Sequence, residues 1–375
     1  MSRWMSNVFR LGLKELSSLS RDVVMMVLIC YTFTVAIYTV ATGIRTEITN
    51  AAVAVVDNDE SELSQRVRDA LQEPYFRHPL RIDRSAVDRM MDNGDVTFVL
   101  DLPPRLEADL LAGRKPIIQL LVDATAMTQA GVGTTYIQNI VAAETLDFLE
   151  SRGAVNRLPA QVVPRVYFNP NLESFWFNSV MQILENITIL SMILVGAAVI
   201  RERERGTIEH LLVMPVTASE IALAKIWANG LVVLIAAGLS LVFVVEGILG
   251  VPIAGSIPLF LVGAALYLFA STALGVMLAT IANTMPQFGL LSIPVFVVMN
   301  LLSGAATPQE AMPDWLRVAM QVSPSTHFVR LAQSVLYRGA GPELVWPQMA
   351  VMVGLGAVFL AIALARFRSM LARQG

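Results

Sequence analysis

The sequence predicts an α-helical integral membrane protein of six transmembrane helices, with an extracytoplasmic α/β domain inserted between the first two. Three observations carry this prediction. Only 15% of the 375 residues are charged and 55% are hydrophobic, against about 25% charge in soluble chains, and the mean hydropathy is +0.60. Six apolar stretches approach the roughly 20 residues that a bilayer core of about 30 Å requires. Between the first two, residues 42–172 hold 13 Lys/Arg and 18 Asp/Glu, about 24% charge, which is ordinary soluble composition.

The same composition excludes several classes. A net charge of −3 without a clustered basic face argues against nucleic acid as a partner. Cys30 is the only cysteine, so neither an intrachain disulfide nor a thiolate cluster can form. His78, His210 and His327 lie far apart, outside any metal-ligand spacing. No metal site and no catalytic residue is predicted.

Residues 1–22 read as a cytoplasmic interfacial helix, because Trp4, Val8, Phe9 and Leu11 alternate with Arg10, Lys14 and Glu15. Residues 23–41 form the first span. A long mixed segment precedes it and no A-x-A-like site follows, so it is a retained anchor rather than a signal peptide.

The inserted domain, 42–172, alternates strand and helix signals. Strands are expected at Ala52–Val56, Val96–Leu100 and Ile117–Val122, with a last extended piece at Val162–Phe168. Helices are expected at Glu60–Leu71, Ser85–Met91, Pro104–Leu111 and Met127–Glu150. Gly94 and Gly113 supply C-terminal stops, and Pro104 suits a first turn. Asp57, Asp59 and Asp123 at strand ends read as caps and turn formers rather than cation ligands.

Residues 173–365 hold the remaining spans, at about 175–200, 222–247, 257–282, 287–305 and 347–365, and 366–375 is a tail. Orientation follows from short-loop Lys and Arg. Arg3, Arg10, Lys14, Arg21, Arg201, Arg203, Arg205, Lys225, Arg366, Arg368 and Arg373 fall on one side, against Arg317, Arg330 and Arg338 on the other. Both termini are therefore expected in the cytoplasm.

The second span carries Asn178, Gln182, Glu185 and Asn186 at i, i+4, i+7 and i+8, one helical stripe. Glu185 lies about 15 Å into the helix at 1.5 Å per residue. An ionisable group at that depth is costly and marks a candidate pathway. Asn300 and Ser303 in the fifth span are candidate facing partners. Ser271, Gly275 and Ala279 repeat every four residues in the fourth span, which favours close helix packing. Segment 306–346 contains Pro308, Pro313, Pro324 and Pro342 with amphipathic pieces between them, one around Trp315 and one through Phe328, Leu331 and Val335. It reads as short helices dipping into the outer interface, with Trp315 and Trp346 as anchors.

The loop 201–221 opens Arg201-Glu202-Arg203-Glu204-Arg205-Gly206-Thr207-Ile208-Glu209-His210-Leu211-Leu212-Val213-Met214-Pro215-Val216. Glu202, Arg205 and Glu209 share a helical face, and Ile208, Leu211 and Leu212 form another. Such a helix can dock in a groove of a soluble partner or simply end the span as a solvated, salt-bridged turn.

Here a family resemblance enters. This loop resembles the E-R-x-x-G-T-type signature that follows the second span in ABC-2 type transporter permeases. Asn169-Pro170-Asn171 resembles their "(F/Y)NP" junction. Val53-Ala54-Val55-Val56-Asp57-Asn58-Asp59 resembles the first external strand of the drug-efflux branch. Met312-Pro313-Asp314-Trp315-Leu316, Pro324-Ser325-Thr326-His327-Phe328 and Tyr337-Arg338-Gly339-Ala340-Gly341 resemble its loop before the last span. One departure is Ser179-Val180-Met181, where relatives often carry a Pro-Gly pair.

The resemblance implies a permease half that pairs with a second copy or a paralogue. ATP and Mg would be bound by separate ATP-binding cassette subunits. Glu202, Glu204, Arg205, Gly206, Thr207, Glu209 and Pro215 would form the ATPase-coupling element, and 306–346 a re-entrant cap. Consistent with separate ATPases, Lys14, Lys115 and Lys225 are the only lysines and none follows a glycine, so no phosphate loop of the Gly-Lys-Ser/Thr kind exists. The expected cargo is hydrophobic or amphipathic compounds, with membrane lipids and a periplasmic adaptor as further partners. Export of a lipid or lipid-linked glycan is an alternative. A membrane sensor is a second alternative, opposed by the short flanks outside the spans. A secondary transporter is a third, but inverted repeats are not evident.

Overall fold

The computed structural model describes residues 2–43, 50–123, 127–153, 173–204, 216–307, 309 and 312–372. The chain forms two compact units, Met1–Gly43 with Phe175–Gly375, and Ile44–Ser174.

Five helices of the first unit are long and apolar enough to cross a membrane: Val23–Gly43, Ser174–Glu204, Ala218–Ile248, Ile257–Ile281 and Pro342–Arg366. A sixth apolar helix, Met285–Leu301, has only 17 residues and contains Pro294. At 1.5 Å per residue it is about 26 Å long, short of a bilayer core of about 30 Å. Of the six expected spans, five coincide with helices long enough to cross a membrane, and the fifth in chain order coincides with this shorter helix.

The first of these helices is interrupted. Asp22 caps it by accepting from the Met25 N–H at 3.2 Å, and the helix stops at Phe33 and restarts at Val35. Ser174–Glu204 is the centre of the unit, with 78% of its apolar window buried, against 17% for the first and last helices. Helix Ala218–Leu239 starts with a capping box between Thr217 and Glu220 and continues as a π-helix over Ser240–Ile248. Ser256 caps Ile257–Ile281, with Pro258 in its first turn.

Small residues set the distance between the central helix and Ile257–Ile281. A Cβ on Gly275 would stand 3.1 Å from the Met192 carbonyl oxygen. Ser191 and Ser271 hydroxyls meet at 2.8 Å, and Thr188 meets the Tyr267 hydroxyl at 2.7 Å. The small-residue stripe of the fourth span therefore acts in packing, as expected of close helix contacts. Gly196 receives the Phe288 ring of the shorter helix, where a Cβ would lie 1.9 Å from it.

Between Leu301 and Pro342 lie helices Asp314–Ala319 and Pro324–Ala332, the latter continued by a π-turn over Gln333–Tyr337. Trp315 is 72% exposed, whereas Phe328, Leu331 and Val335 are fully buried in the helical core. The Phe328 ring stacks on Tyr267 at 4.3 Å between centroids. The Tyr337 hydroxyl donates to the carbonyls of Trp176 at 3.1 Å and Phe177 at 3.3 Å. Burial pushes the Tyr337 phenol up, which keeps it a neutral donor.

The second unit is a four-stranded sheet: β1 Val53–Asp57, β2 Leu80–Arg81, β3 Phe98–Leu102 and β4 Gln119–Val122, in the order β2-β1-β3-β4. β1 is parallel to β2 and β3, and β4 is antiparallel to β3. Alternation divides the apolar strand residues between two cores. Val53, Val55, Phe98 and Leu100 pack with Leu63 and Val67 of helix Glu62–Asp69 and with Phe148 of helix Met127–Ser151. Ala54, Val56 and Val99 pack on the other face with Val87 of helix Val87–Asp92.

Asp57 accepts from the N–H groups of Asp59 and Glu60 and from Ser64 Oγ, and Asp59 accepts from the Glu107 N–H. Both act as turn and cap residues, and no His/Cys/Asp/Glu group suited to a metal occurs among the described residues. The expected strand Val162–Phe168 and the junction Asn169-Pro170-Asn171 lie outside the described residues.

Candidate functional site

Two polar layers interrupt the apolar helices. The first is at the middle of Ser174–Glu204. Glu185 shares a cavity of about 20 Å³ with Asn300, Ser303, Met299, Ser325 and Phe328. The structure brings Glu185 together with Asn300 and Ser303, the two residues named as candidate facing partners.

The hydroxyl groups of this layer are already used. Ser303 donates to the Asn300 carbonyl at 2.9 Å, and Ser325 to the Met299 carbonyl at 2.9 Å. The Gln309 amide donates to the Ser303 carbonyl at 3.1 Å and accepts from Arg330. Glu185 makes no hydrogen bond or ion pair with any described residue.

The rest of the expected stripe faces elsewhere. Gln182 donates to Asn186 Oδ1 at 3.1 Å, and Asn186 donates to the Thr32 carbonyl at 2.6 Å, two residues before the break in the first membrane helix. Asn178 stands one turn before Gln182 on the same helix. Residues 185 and 186 are separated by about 100° around an α-helix. In a helix buried on most sides, that angle sends them to different neighbours.

The second layer is where Ser174–Glu204 ends. Lys225 Nζ lies 2.9 Å from Glu15 and 3.0 Å from Glu202, and Lys14 lies 4.0 Å from Glu202. The Lys225 side chain is 3% exposed. Its place inside helix Ala218–Leu239 corrects its count as a loop charge. Arg201 pairs with Asp22 at 3.4 Å, Arg203 donates to the Ala282 carbonyl at 2.8 Å, and Glu204 accepts from the Met285 N–H at 3.0 Å. A cavity of about 210 Å³ opens among Lys14, Glu15, Asp22, Arg201, Glu202 and Asn229.

The N-terminal helix Ser2–Arg21 joins this layer through its own side chains. Asn7 donates to Glu220 at 3.0 Å, and Trp227 Nε1 donates to the Val8 carbonyl at 3.2 Å. Phe9 stacks on Trp227 at 5.8 Å. A Cβ on Gly12 would lie 2.0 Å from the Trp227 ring, so only glycine fits there. Sequence spacing pointed to none of Glu15, Lys225, Glu220 or Asn7, since the pairs Glu15–Lys225 and Asn7–Glu220 lie more than 200 residues apart. The available signal was a lone lysine and a lone asparagine, Lys225 and Asn229, four residues apart in an apolar helix.

Of the expected coupling residues, Glu202 and Glu204 are described and occupy this layer. Arg205, Gly206, Thr207, Glu209 and Pro215 lie outside the described residues.

Residues 22–365 match the family described as ABC-2 family transporter protein. The chain belongs to the ABC-2 transporter family. An Escherichia coli K12 relative, described as inner membrane transport permease YhhJ, is 50% identical over 367 residues, with 98% of each chain covered. Another E. coli K12 protein, described as probable multidrug ABC transporter permease YbhR, is 28% identical over 363 residues, covering 95% of this chain and 96% of its own. A third, described as probable multidrug ABC transporter permease YbhS, is 24% identical over 296 residues, with 77% of each covered. As an ABC-2 permease the chain is a membrane-spanning transport subunit, and the ATPase belongs to a separate chain. This membership sets aside the sensor and secondary-transporter readings.

Proposed function

We propose that this permease exports hydrophobic or amphipathic compounds from the cytoplasm or inner leaflet of a bacterial inner membrane. ATP hydrolysis by separate cassette subunits drives it, and a second copy or a paralogue completes the pathway. Both termini face the cytoplasm, and the α/β unit lies outside, where it meets a periplasmic adaptor or gates the exit. Segment 306–346 caps that exit. Asn178, Gln182, Glu185, Asn186, Asn300 and Ser303 border the pathway, and residues 201–221 receive the push of the ATPase.

The observation that carries this reading is the polar layer around Glu185, placed between the central helix and the shorter helix Met285–Leu301. Polar groups at such depth are costly unless they serve a path or a partner. The ion cluster at Lys225 supports the coupling half of the reading. It ties the end of Ser174–Glu204 to the N-terminal helix, so both move together when residues 201–221 are displaced.

The test is ATP-dependent movement of a lipophilic dye such as Nile red in proteoliposomes that hold the permease with its ATPase. Movement that needs ATP and both chains is expected. A complex that hydrolyses ATP yet moves no lipophilic compound overturns the reading.

A further inference from the structure

Among the described residues Glu185 is the only ionisable side chain lining its cavity, and its carboxylate has no partner there. Its neighbours are in no position to neutralise it. The hydroxyls of Thr188, Ser303 and Ser325 donate to backbone carbonyls, at 2.7 Å, 2.9 Å and 2.9 Å. Arg330 donates to Gln309 and forms no ion pair with Glu185. The remaining lining is the amide of Asn300 and the apolar side chains of Leu184, Ala305, Val329, Phe328, Met181 and Met299.

An unpaired carboxylate among apolar side chains is unfavourable until a cation or a proton reaches it. A neutral or anionic cargo would leave that cost in place. A cationic head would remove it, and the two methionines offer soft sulfur that suits a poorly hydrated cation.

We propose that the cargo is an amphipathic cation, whose charged head is held by the carboxylate of Glu185 in the layer formed with Asn300, Ser303 and Phe328. This inference rests on the export-pathway reading above. The cavity of about 20 Å³ has room for roughly one water. It therefore marks where the charge sits, and the helices must part to admit the rest of the molecule.

The test compares two probes in proteoliposomes of the full permease with its ATPase: rhodamine 6G, a cation, and Nile red, which is neutral. Glu185→Gln keeps the side-chain volume and removes the charge. It is expected to cut ATP-dependent rhodamine 6G transport at least tenfold, and at least fivefold more than it cuts Nile red transport. Glu185→Asp is expected to retain rhodamine 6G transport to within about fivefold. Equal loss of both probes, or loss of neither, overturns the cation assignment and leaves the export reading standing.

A wild-type complex that moves Nile red alone also overturns the assignment. A wild-type complex that moves neither defeats the export reading itself, and the cation assignment with it. Independently of any variant, rhodamine 6G should protect Glu185 of the wild-type protein from dicyclohexylcarbodiimide, read by mass spectrometry, and Nile red should not. Equal protection by both, or by neither, counts against the carboxylate as the cation's contact.

Discussion

Lys225 Nζ sits 3.0 Å from Glu202 inside an otherwise apolar helix, and the same ammonium reaches Glu15 at 2.9 Å. One buried cation thus holds together the N-terminal helix, the end of the central helix and the third membrane helix. Removing one partner of a buried pair costs about 3–5 kcal/mol, because the other charge is left uncompensated. Lys225→Met should therefore destabilise the permease by roughly that amount, read as a fall in thermal unfolding midpoint in detergent. Adding Glu15→Gln and Glu202→Gln to it should recover most of the loss. A triple variant less stable than the single would count against the ion cluster as the cause.

Gly12 tests the same contact by shape. Its missing Cβ is occupied by the Trp227 ring, and that ring is fixed by its hydrogen bond to Val8 and its stack on Phe9. Gly12→Ala should cost about 1–3 kcal/mol, as overpacking does. Gly12→Ala with Trp227→Leu should cost less than the two single changes added together. Strict additivity in the double-mutant cycle would separate the two sites.

Asn186 holds the Thr32 carbonyl beside the break at Thr34. Hydrogen bonds between membrane helices are worth about 0.6 kcal/mol on average and up to about 1.7. Asn186→Leu should destabilise within that range and, because Asn186 borders the pathway, also lower ATP-dependent transport. Unchanged transport in a normally assembled complex would remove Asn186 from the pathway and leave it the helix contact alone.

Gly275 faces backbone rather than a movable side chain, at 3.1 Å from the Met192 carbonyl. Gly275→Val must push two helices apart and should lose at least about 1–3 kcal/mol, together with the Ser191–Ser271 bond. Wild-type stability would show that the helices are not so closely apposed.

Coupling is tested at Glu209. Glu209→Ala should leave ATP hydrolysis by the partner measurable while transport falls, because the push no longer reaches the permease. Unchanged transport in a normally assembled complex would remove residues 201–221 from the coupling path.

Apolar runs made the membrane helices legible, since period and length mark a span without any partner. The α/β unit was legible for the same local reason. Val53–Asp57 is an unbroken buried strand, and helix Met127–Ser151 lies within one residue of its expected end. β2 was missed because its two residues, Leu80 and Arg81, are exposed and carry no pattern. Asn300 and Ser303 were candidate partners for Glu185 because they are polar residues in another apolar stretch, though no pattern in the residues says that the two stretches meet. The separate fate of Gln182 and Asn186 was not legible, because a helical stripe does not say which neighbour each of its edges meets. Lys225 was misplaced for a related reason: its two carboxylates come from other helices, and charge near a span boundary reads as loop.

The order of these charges along the chain matters for biosynthesis. Glu15 and Glu202 both precede Lys225, the former by 210 residues. A lysine within an inserting apolar helix is costly, by about 2.5–3.5 kcal/mol at the helix centre and less near an end, and Lys225 stands about two turns into its helix. When the ribosome delivers Lys225, both neutralising carboxylates have already been made. The chain's own beginning thus supplies part of the neutralisation of a charge that follows it by 210 residues, and Glu202 supplies the rest.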